Sequence, residues 1–268
     1  MTFHNSQFFT YEDENLHYIT VGQGAEALIA FHGFGQDLQL FHRLAEKISE
    51  RFTIYLFDVY YHGNSTRPEI PLTKDQWKAT LSSFLSSKKI DRFSILSYSL
   101  GGRFGIAAAY EFAERVNELF LIAPDAIITS IWYRFSTSFG FKRLFKYLMK
   151  NPGSFQRLLN FMERYKLVNR TLIQFARKEL GPKENRIKVY RCWIYFKELK
   201  YPTEDLVKRF NRHNIRIHLL LGSKDRIITP EEVREKWQHI RSIDYKIIPA
   251  KHHELVYQNN LDQFFGVG

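Results

Sequence analysis

Phe93-Ser-Ile-Leu-Ser-Tyr-Ser-Leu-Gly-Gly-Arg-Phe-Gly105 joins two different patterns. Phe93 to Leu96 is a short apolar run that predicts a buried strand, and Arg103 to Phe112 is compatible with a helix. Between them, Ser99 has one small residue two positions before it, Ser97, and another two positions after it, Gly101. A serine pinned in so tight a strand-to-helix turn fits the nucleophile-elbow pattern, because a larger side chain at either flanking position would strike the neighbouring strand or helix. The position before is usually glycine; here it is Ser97. Alone, the stretch also fits a Ser/Gly-rich loop with no chemistry, so its meaning depends on what the other strand ends supply.

On its N-terminal side, Phe8 to Tyr11 and Leu16 to Val21 flank the polar Glu12-Asp-Glu-Asn15, a hairpin signal. Ala27-Leu-Ile-Ala-Phe31 and Phe52-Thr-Ile-Tyr-Leu-Phe57 are continuous apolar runs, as expected of strands buried on both faces. Helical spacing follows each of them, over residues 38–51 and 73–90. Beyond the serine lie Leu119-Phe-Leu-Ile-Ala123, Ile215-Arg-Ile-His-Leu-Leu-Leu221 and Tyr245-Lys-Ile-Ile248, with a helix opened by Pro230 between the last two. Strands alternating with helices imply a parallel sheet covered on both faces.

The rhythm breaks between residues 126 and 212, where buried-strand runs give way to apolar stripes at helical spacing. One stripe is Phe141, Leu144, Phe145 and Leu148; another is Phe155, Leu158, Leu159 and Met162, and Pro152-Gly153 separates the two. Residues 1–125 and 213–268 are therefore expected to form the core, and 126–212 an α-helical insertion of about four helices. At 268 residues the chain is long enough for one large core with such a lid. The N-terminus has no basic start followed by an apolar block, and no run approaches a membrane span, so a cytoplasmic protein is expected. The single cysteine, Cys192, excludes an internal disulfide and any cysteine-clustered metal site; the histidines show no metal-binding spacing, and Cys192 reads as core.

In parallel sheets functional groups gather at the carboxyl ends of the strands. That edge presents His32-Gly33-Phe34, Asp58, Ser99, Asp125, Asp225 and His252-His253. Serine, then aspartate, then histidine is the triad order of one fold in particular. With these residues in place the sequence resembles the α/β-hydrolase superfamily over essentially its whole length. His32-Gly33 looks like its oxyanion loop, and Asp58 with His62-Gly-Asn-Ser65 is similar to its Asp-x-x-Gly-x-Gly-x-Ser loop, with Tyr61 in place of one glycine. Gly222-Ser-Lys-Asp225 looks like the acid loop, and His253 with Gln258 is similar to the His-x4-Glu ending. The insertion falls where the family places its cap domain.

The resemblance implies an α/β-hydrolase fold: a mostly parallel central sheet with helices on both faces and an α-helical cap. It implies Ser99 as nucleophile, His253 as base and Asp225 as orienting acid, with oxyanion donors at Leu100 and Phe34. His252 is the rival base, and Asp125, which otherwise reads as a helix cap, the rival acid. The chemistry needs each part: a base to take the serine proton, a carboxylate to fix the imidazole tautomer, and N–H donors for the oxyanion. Arg103, Tyr98 and His32 are the expected substrate contacts, although His32 also reads as a structural loop histidine; Asp58 and Ser65 read as residues that order their loop. The expected substrate is a small-molecule acyl compound or ester, with no cofactor and no metal. Tyr98-Ser-Leu-Gly-Gly-Arg103 also resembles the elbow of the menaquinone-pathway lyase that eliminates pyruvate, in which the arginine helps to hold an anionic substrate. A third reading, a non-catalytic binding protein on the same fold, would show a lost Ser, Asp or His; none is lost.

Charge is uneven. Residues 126–212 hold 20 Lys/Arg and 6 Asp/Glu, whereas the rest of the chain holds 19 and 22. No nucleic-acid motif accompanies this excess, and the aromatics occupy apolar stripes, so nucleic acid is not an expected partner. A solvated helical face accounts for the charge; peripheral contact with an anionic membrane is the functional alternative.

Overall fold

The computed structural model describes residues 6–127, 142–168, 170–258 and 261–266. Eight strands form one sheet in the order β1-β2-β4-β3-β5-β6-β7-β8. They are β1 (Gln7–Tyr11), β2 (Glu14–Val21), β3 (Glu26–Phe31), β4 (Phe52–Phe57), β5 (Phe93–Tyr98), β6 (Val116–Ile122), β7 (Arg216–Gly222) and β8 (Ile243–Ile248). The N-terminal hairpin pairs β1 with β2, and β2 meets β4 antiparallel; every later pairing is parallel. The continuous apolar runs become the central strands because both of their faces are covered. In register, Phe31 lies opposite Ser97, Tyr98 opposite Ile122, and Ile122 opposite Leu220. The loops that follow β3, β5, β6 and β7 therefore leave the sheet at one edge.

Around the sheet lie α1 (His42–Ile48), α2 (Lys74–Ser87) and α3 (Gly101–Glu111). Thr73 caps α2, its hydroxyl accepting from the Gln76 N–H while the Gln76 side chain accepts from the Thr73 N–H. The predicted stripe of Trp77, Leu81, Phe84 and Leu85 is buried, and Phe84 stands edge-on to Phe57, Tyr18 and Tyr55 at 4.8–5.3 Å.

Packing divides the chain into two compact units, Met1–Ile128 with Glu198–Gly268, and Thr129–Lys197. The helical unit is shorter than the expected 126–212. The helix α8 (Thr203–Arg212) belongs with the sheet unit, where Phe210 is fully buried beside Trp237. Arg209 donates to the Tyr110 carbonyl, and Tyr201 donates to Glu111 on α3. Like the other helices that precede a strand, α8 buries its apolar stripe against the core. α9 (Pro230–Trp237) completes that unit's described helices.

The helical unit contains α4 (Lys142–Lys150), α5 (Pro152–Arg164), α6 (Arg170–Glu179) and α7 (Lys183–Tyr195); Phe141 lies outside the described residues. Its internal lock is Arg186, which is buried and donates to the carbonyls of Met149, Leu180 and Gly181. One cation thereby satisfies carbonyls at the C-terminal ends of α4 and α6. Arg186→Met is expected to cost about 3 kcal/mol, because buried acceptors lose a charged donor; thermal unfolding measures it. Among the described residues no helix is long and apolar enough to cross a membrane.

A second lock sits at the opening of β6. His218, 3.9 Å away, and the Arg51 guanidinium, 2.9 Å away, hold the Glu118 carboxyl down at about 2. A depressed carboxyl stabilises the fold above its unfolded value of about 4.3 and loses that contribution as pH falls toward its folded value. The melting-temperature gap between wild type and Glu118→Gln is therefore expected to be widest above pH ~5 and to close as pH falls toward ~2.

Candidate active site

Ser99 follows the last residue of β5 with φ +49, a left-handed conformation that a non-glycine residue adopts only under constraint. The constraint is crowding. A Cβ on Gly101 would lie 2.1 Å from the Phe31 carbonyl oxygen and 2.7 Å from that of His32, so the elbow presses directly on the end of β3. Ser97 fits at the usual glycine position because residue 105 is glycine: a Cβ there would lie 2.0 Å from the Ser97 hydroxyl. The volume added two residues before Ser99 is removed six residues after it.

The serine hydroxyl lies 2.9 Å from Nε2 of His252, and Nδ1 of the same ring lies 2.6 Å from Oδ2 of Asp225. Asp225 is buried, and its other oxygen accepts from the N–H groups of Ile227 and Ile228. An ionised carboxylate can only accept, so the imidazole proton sits on Nδ1 and leaves Nε2 to accept from the serine O–H. Tyr98 braces the histidine, donating to the His252 carbonyl at 3.1 Å with its ring 5.3 Å from the imidazole. Burial first, and the nearby Asp225 second, push the Tyr98 phenol well above its ordinary range, so it stays a neutral donor.

The histidine is thus His252, not His253. Both lie on the 3-10 turn His252–Tyr257, where neighbours point about 120° apart, so only one can face Asp225. The loop through Pro249, Ala250 and Lys251 delivers His252, and His253 is exposed. Gln258 donates to the Glu254 carbonyl and closes the turn, which is why its spacing from His253 carried no information about the base.

Asp125 is no rival for the acid. Its two oxygens accept from Arg103, Nε at 2.8 Å and a terminal nitrogen at 3.1 Å, while its own N–H donates to the Ser99 carbonyl at 2.7 Å. It also accepts from the Ala126 N–H, an ordering role close to the expected cap. Arg103 is buried, and the pair ties α3 to the turn after β6, an anchoring contact. Tyr98 and His32 are likewise held by protein partners. His32 is fully buried, its Nδ1 donating to the Gly33 carbonyl and its Nε2 accepting from the Val59 N–H, so it fastens the end of β3 to the end of β4. Of the expected oxyanion donors, the Leu100 N–H opens α3 and engages no acceptor among the described residues. Phe34 sits in the loop after β3, its ring edge-on to His62 at 5.6 Å.

A second Ser-His-Asp chain went unread in the sequence. His17 lies 2.7 Å from the Ser6 hydroxyl through Nε2 and 2.6 Å from Asp58 through Nδ1. Asp58 also accepts from the Leu38 and Asn64 N–H groups, and the Ser65 hydroxyl donates to its carbonyl. Asp58 and Ser65 thus order their loop as expected. Ser6 precedes a strand rather than a helix, so it has no helix N-terminus behind it to receive an oxyanion. Among the described residues no group of three His, Cys, Asp or Glu is arranged to hold a metal ion.

Comparisons with known proteins address the family and the fold. The mouse (Lyso)-N-acylphosphatidylethanolamine lipase is 30% identical over 101 residues, 36% of this chain and 30% of that one. N-formylmaleamate deformylase of Pseudomonas putida is 29% identical over 109 residues, 40% of this chain and 41% of that one. The chain therefore spans less than half the length of either curated relative. Among solved structures, the enol-lactonase of Burkholderia xenovorans superposes with a TM-score of 0.66 at 20% identity, covering 97% of this chain and 100% of that one, a likeness of fold. The family model of the α/β hydrolase fold matches residues 26–259, from the first parallel strand to just past the histidine turn. With strand order, elbow and sequence model in agreement, the chain belongs to the α/β-hydrolase family.

Proposed function

We propose that the protein is a serine hydrolase that cleaves a carboxylic ester or a related acyl bond through an acyl-Ser99 intermediate. The observation that carries this reading is the unbroken chain of hydrogen bonds from Ser99 through His252 to Asp225, set on a left-handed elbow. His252 Nε2 takes the serine proton as Oγ attacks the acyl carbon, and the carbonyl electron pair moves onto oxygen. The Leu100 and Phe34 N–H groups receive that oxyanion, a contribution of roughly 3–4 kcal/mol for each donor. Collapse expels the leaving alcohol or amine, which takes the proton from His252 Nε2. Water then repeats the sequence, with His252 as base, and releases the acid and free Ser99. Asp225 stays ionised throughout and stabilises the imidazolium. The steps need no cofactor.

The mouse relative is a lipase and the Pseudomonas relative a deformylase, so both names denote acyl-bond cleavage, which supports the class without choosing the substrate. Arg103, on which a pyruvate-eliminating reading would rest, is engaged by Asp125 beneath the elbow and gives that alternative no support. A fluorophosphonate probe is expected to label wild type and not Ser99→Ala. Equal labelling of the two overturns the proposal, as would a failure to turn over any acyl ester, short or long, by a well-folded wild type.

A further inference from the structure

α5 carries two apolar stripes where a helix packed on one side needs one. Phe155, Leu159 and Met162 recur at helical spacing, and the first two are buried. A second stripe, Leu158, Phe161 and Tyr165, turns about 90° away and faces solvent, with Phe161 52% and Tyr165 58% exposed. Their rings lie 4.7 Å apart, so they form one patch rather than scattered side chains. α4 extends it: Leu144 and Tyr147 are half exposed, and the Tyr147 hydroxyl accepts from Ser154 in the first turn of α5. Contiguous exposed apolar surface of this kind marks an interaction site.

The charges around the patch say what it meets. Arg157 and Arg164 flank the outer stripe of α5 along one side, and Lys146 and Lys150 flank Tyr147 on α4; all four are exposed. The one acidic residue of α5, Glu163, turns away and is bound by Arg177 of α6 at 2.7 Å. The unit spanning Thr129–Lys197 holds 16 Lys/Arg against 3 Asp/Glu. Aromatic and aliphatic side chains between cations, with acid withdrawn, are complementary to an anionic bilayer, where rings enter the headgroup layer and cations meet phosphate.

We propose that the outer face of α4 and α5 docks this protein on an anionic lipid surface. The inference does not depend on the hydrolase reading, because binding is measured without turnover. Co-sedimentation with phosphatidylcholine vesicles, with and without about a third phosphatidylglycerol, tests it. Wild type is expected to bind the anionic vesicles at least about tenfold more tightly than the neutral ones, with the difference shrinking at high salt. Phe161→Ser/Tyr165→Ser is expected to weaken anionic binding about tenfold or more through lost burial. Arg157→Gln/Arg164→Gln is expected to weaken it about tenfold at low salt only. Near-ultraviolet circular dichroism checks that each variant folds, and the two variants test the face independently. The proposal is overturned if wild type ignores phosphatidylglycerol, or if both variants bind like wild type. It is equally overturned if wild type is a dimer that Phe161→Ser/Tyr165→Ser converts to monomer, because a second copy of the chain would then be the occupant.

Discussion

His252→Ala is expected to lower kcat/KM on a short acyl ester by about 10^5-fold, whereas His253→Ala changes it by no more than about twofold. The two residues are adjacent, of the same type and on the same 3-10 turn, so the contrast isolates geometry from composition. His252 alone reaches both Ser99 and Asp225, at 2.9 and 2.6 Å. Without it the serine proton has no acceptor and the leaving group no donor. Because the triad acts as a unit, Ser99→Ala is expected to cost about as much, and adding Ser99→Ala to His252→Ala to cost little more. Steady-state hydrolysis of a chromogenic short-chain ester measures all four variants against wild type. A large loss in His253→Ala with His252→Ala near wild type would return the base to residue 253.

The same pair of histidines marks where sequence stops being informative. The central strands were readable because residues such as Ala27 to Phe31 are buried on both faces, which leaves a continuous apolar run. The elbow was readable because its backbone tolerates few side chains, and crowding leaves a trace in composition. Ser97 looked like a departure from that pattern only while Gly105 was counted as an ordinary helix residue; their contact crosses a turn that no linear pattern registers. The choice between His252 and His253 depends on the phase of a short turn, set by loop length and not by residue type. The partners of Arg103 and His17 lie 22 and 41 residues away, and pairing at such distances follows from topology. The packing of α8 was illegible for a related reason. Its sequence is amphipathic like the helices of the insertion, and only the identity of what covers Leu206 and Phe210 distinguishes them.

Asp225→Asn and Asp125→Asn are expected to fail in opposite ways. In Asp225 one oxygen accepts two N–H groups, from Ile227 and Ile228, and the other faces Nδ1 of His252. An asparagine there must turn its carbonyl oxygen to the two amides, because its NH2 cannot accept. The NH2 then points at Nδ1 and forces the imidazole proton onto Nε2, where it confronts the serine O–H. The ring keeps its place but holds the wrong tautomer, so kcat is expected to fall about 10^4-fold with the melting temperature near wild type. Asp125→Asn touches no atom of the triad, and the backbone N–H that donates to the Ser99 carbonyl survives. It instead leaves the buried Arg103 guanidinium facing a neutral amide, which is expected to cost about 3 kcal/mol of stability while kcat/KM stays within about tenfold. Ester kinetics and thermal unfolding on the two variants give a crossed pattern if Asp225 is the orienting acid. If activity collapses in Asp125→Asn and survives in Asp225→Asn, the histidine takes its orientation from the other aspartate and Arg103 ceases to be an anchor.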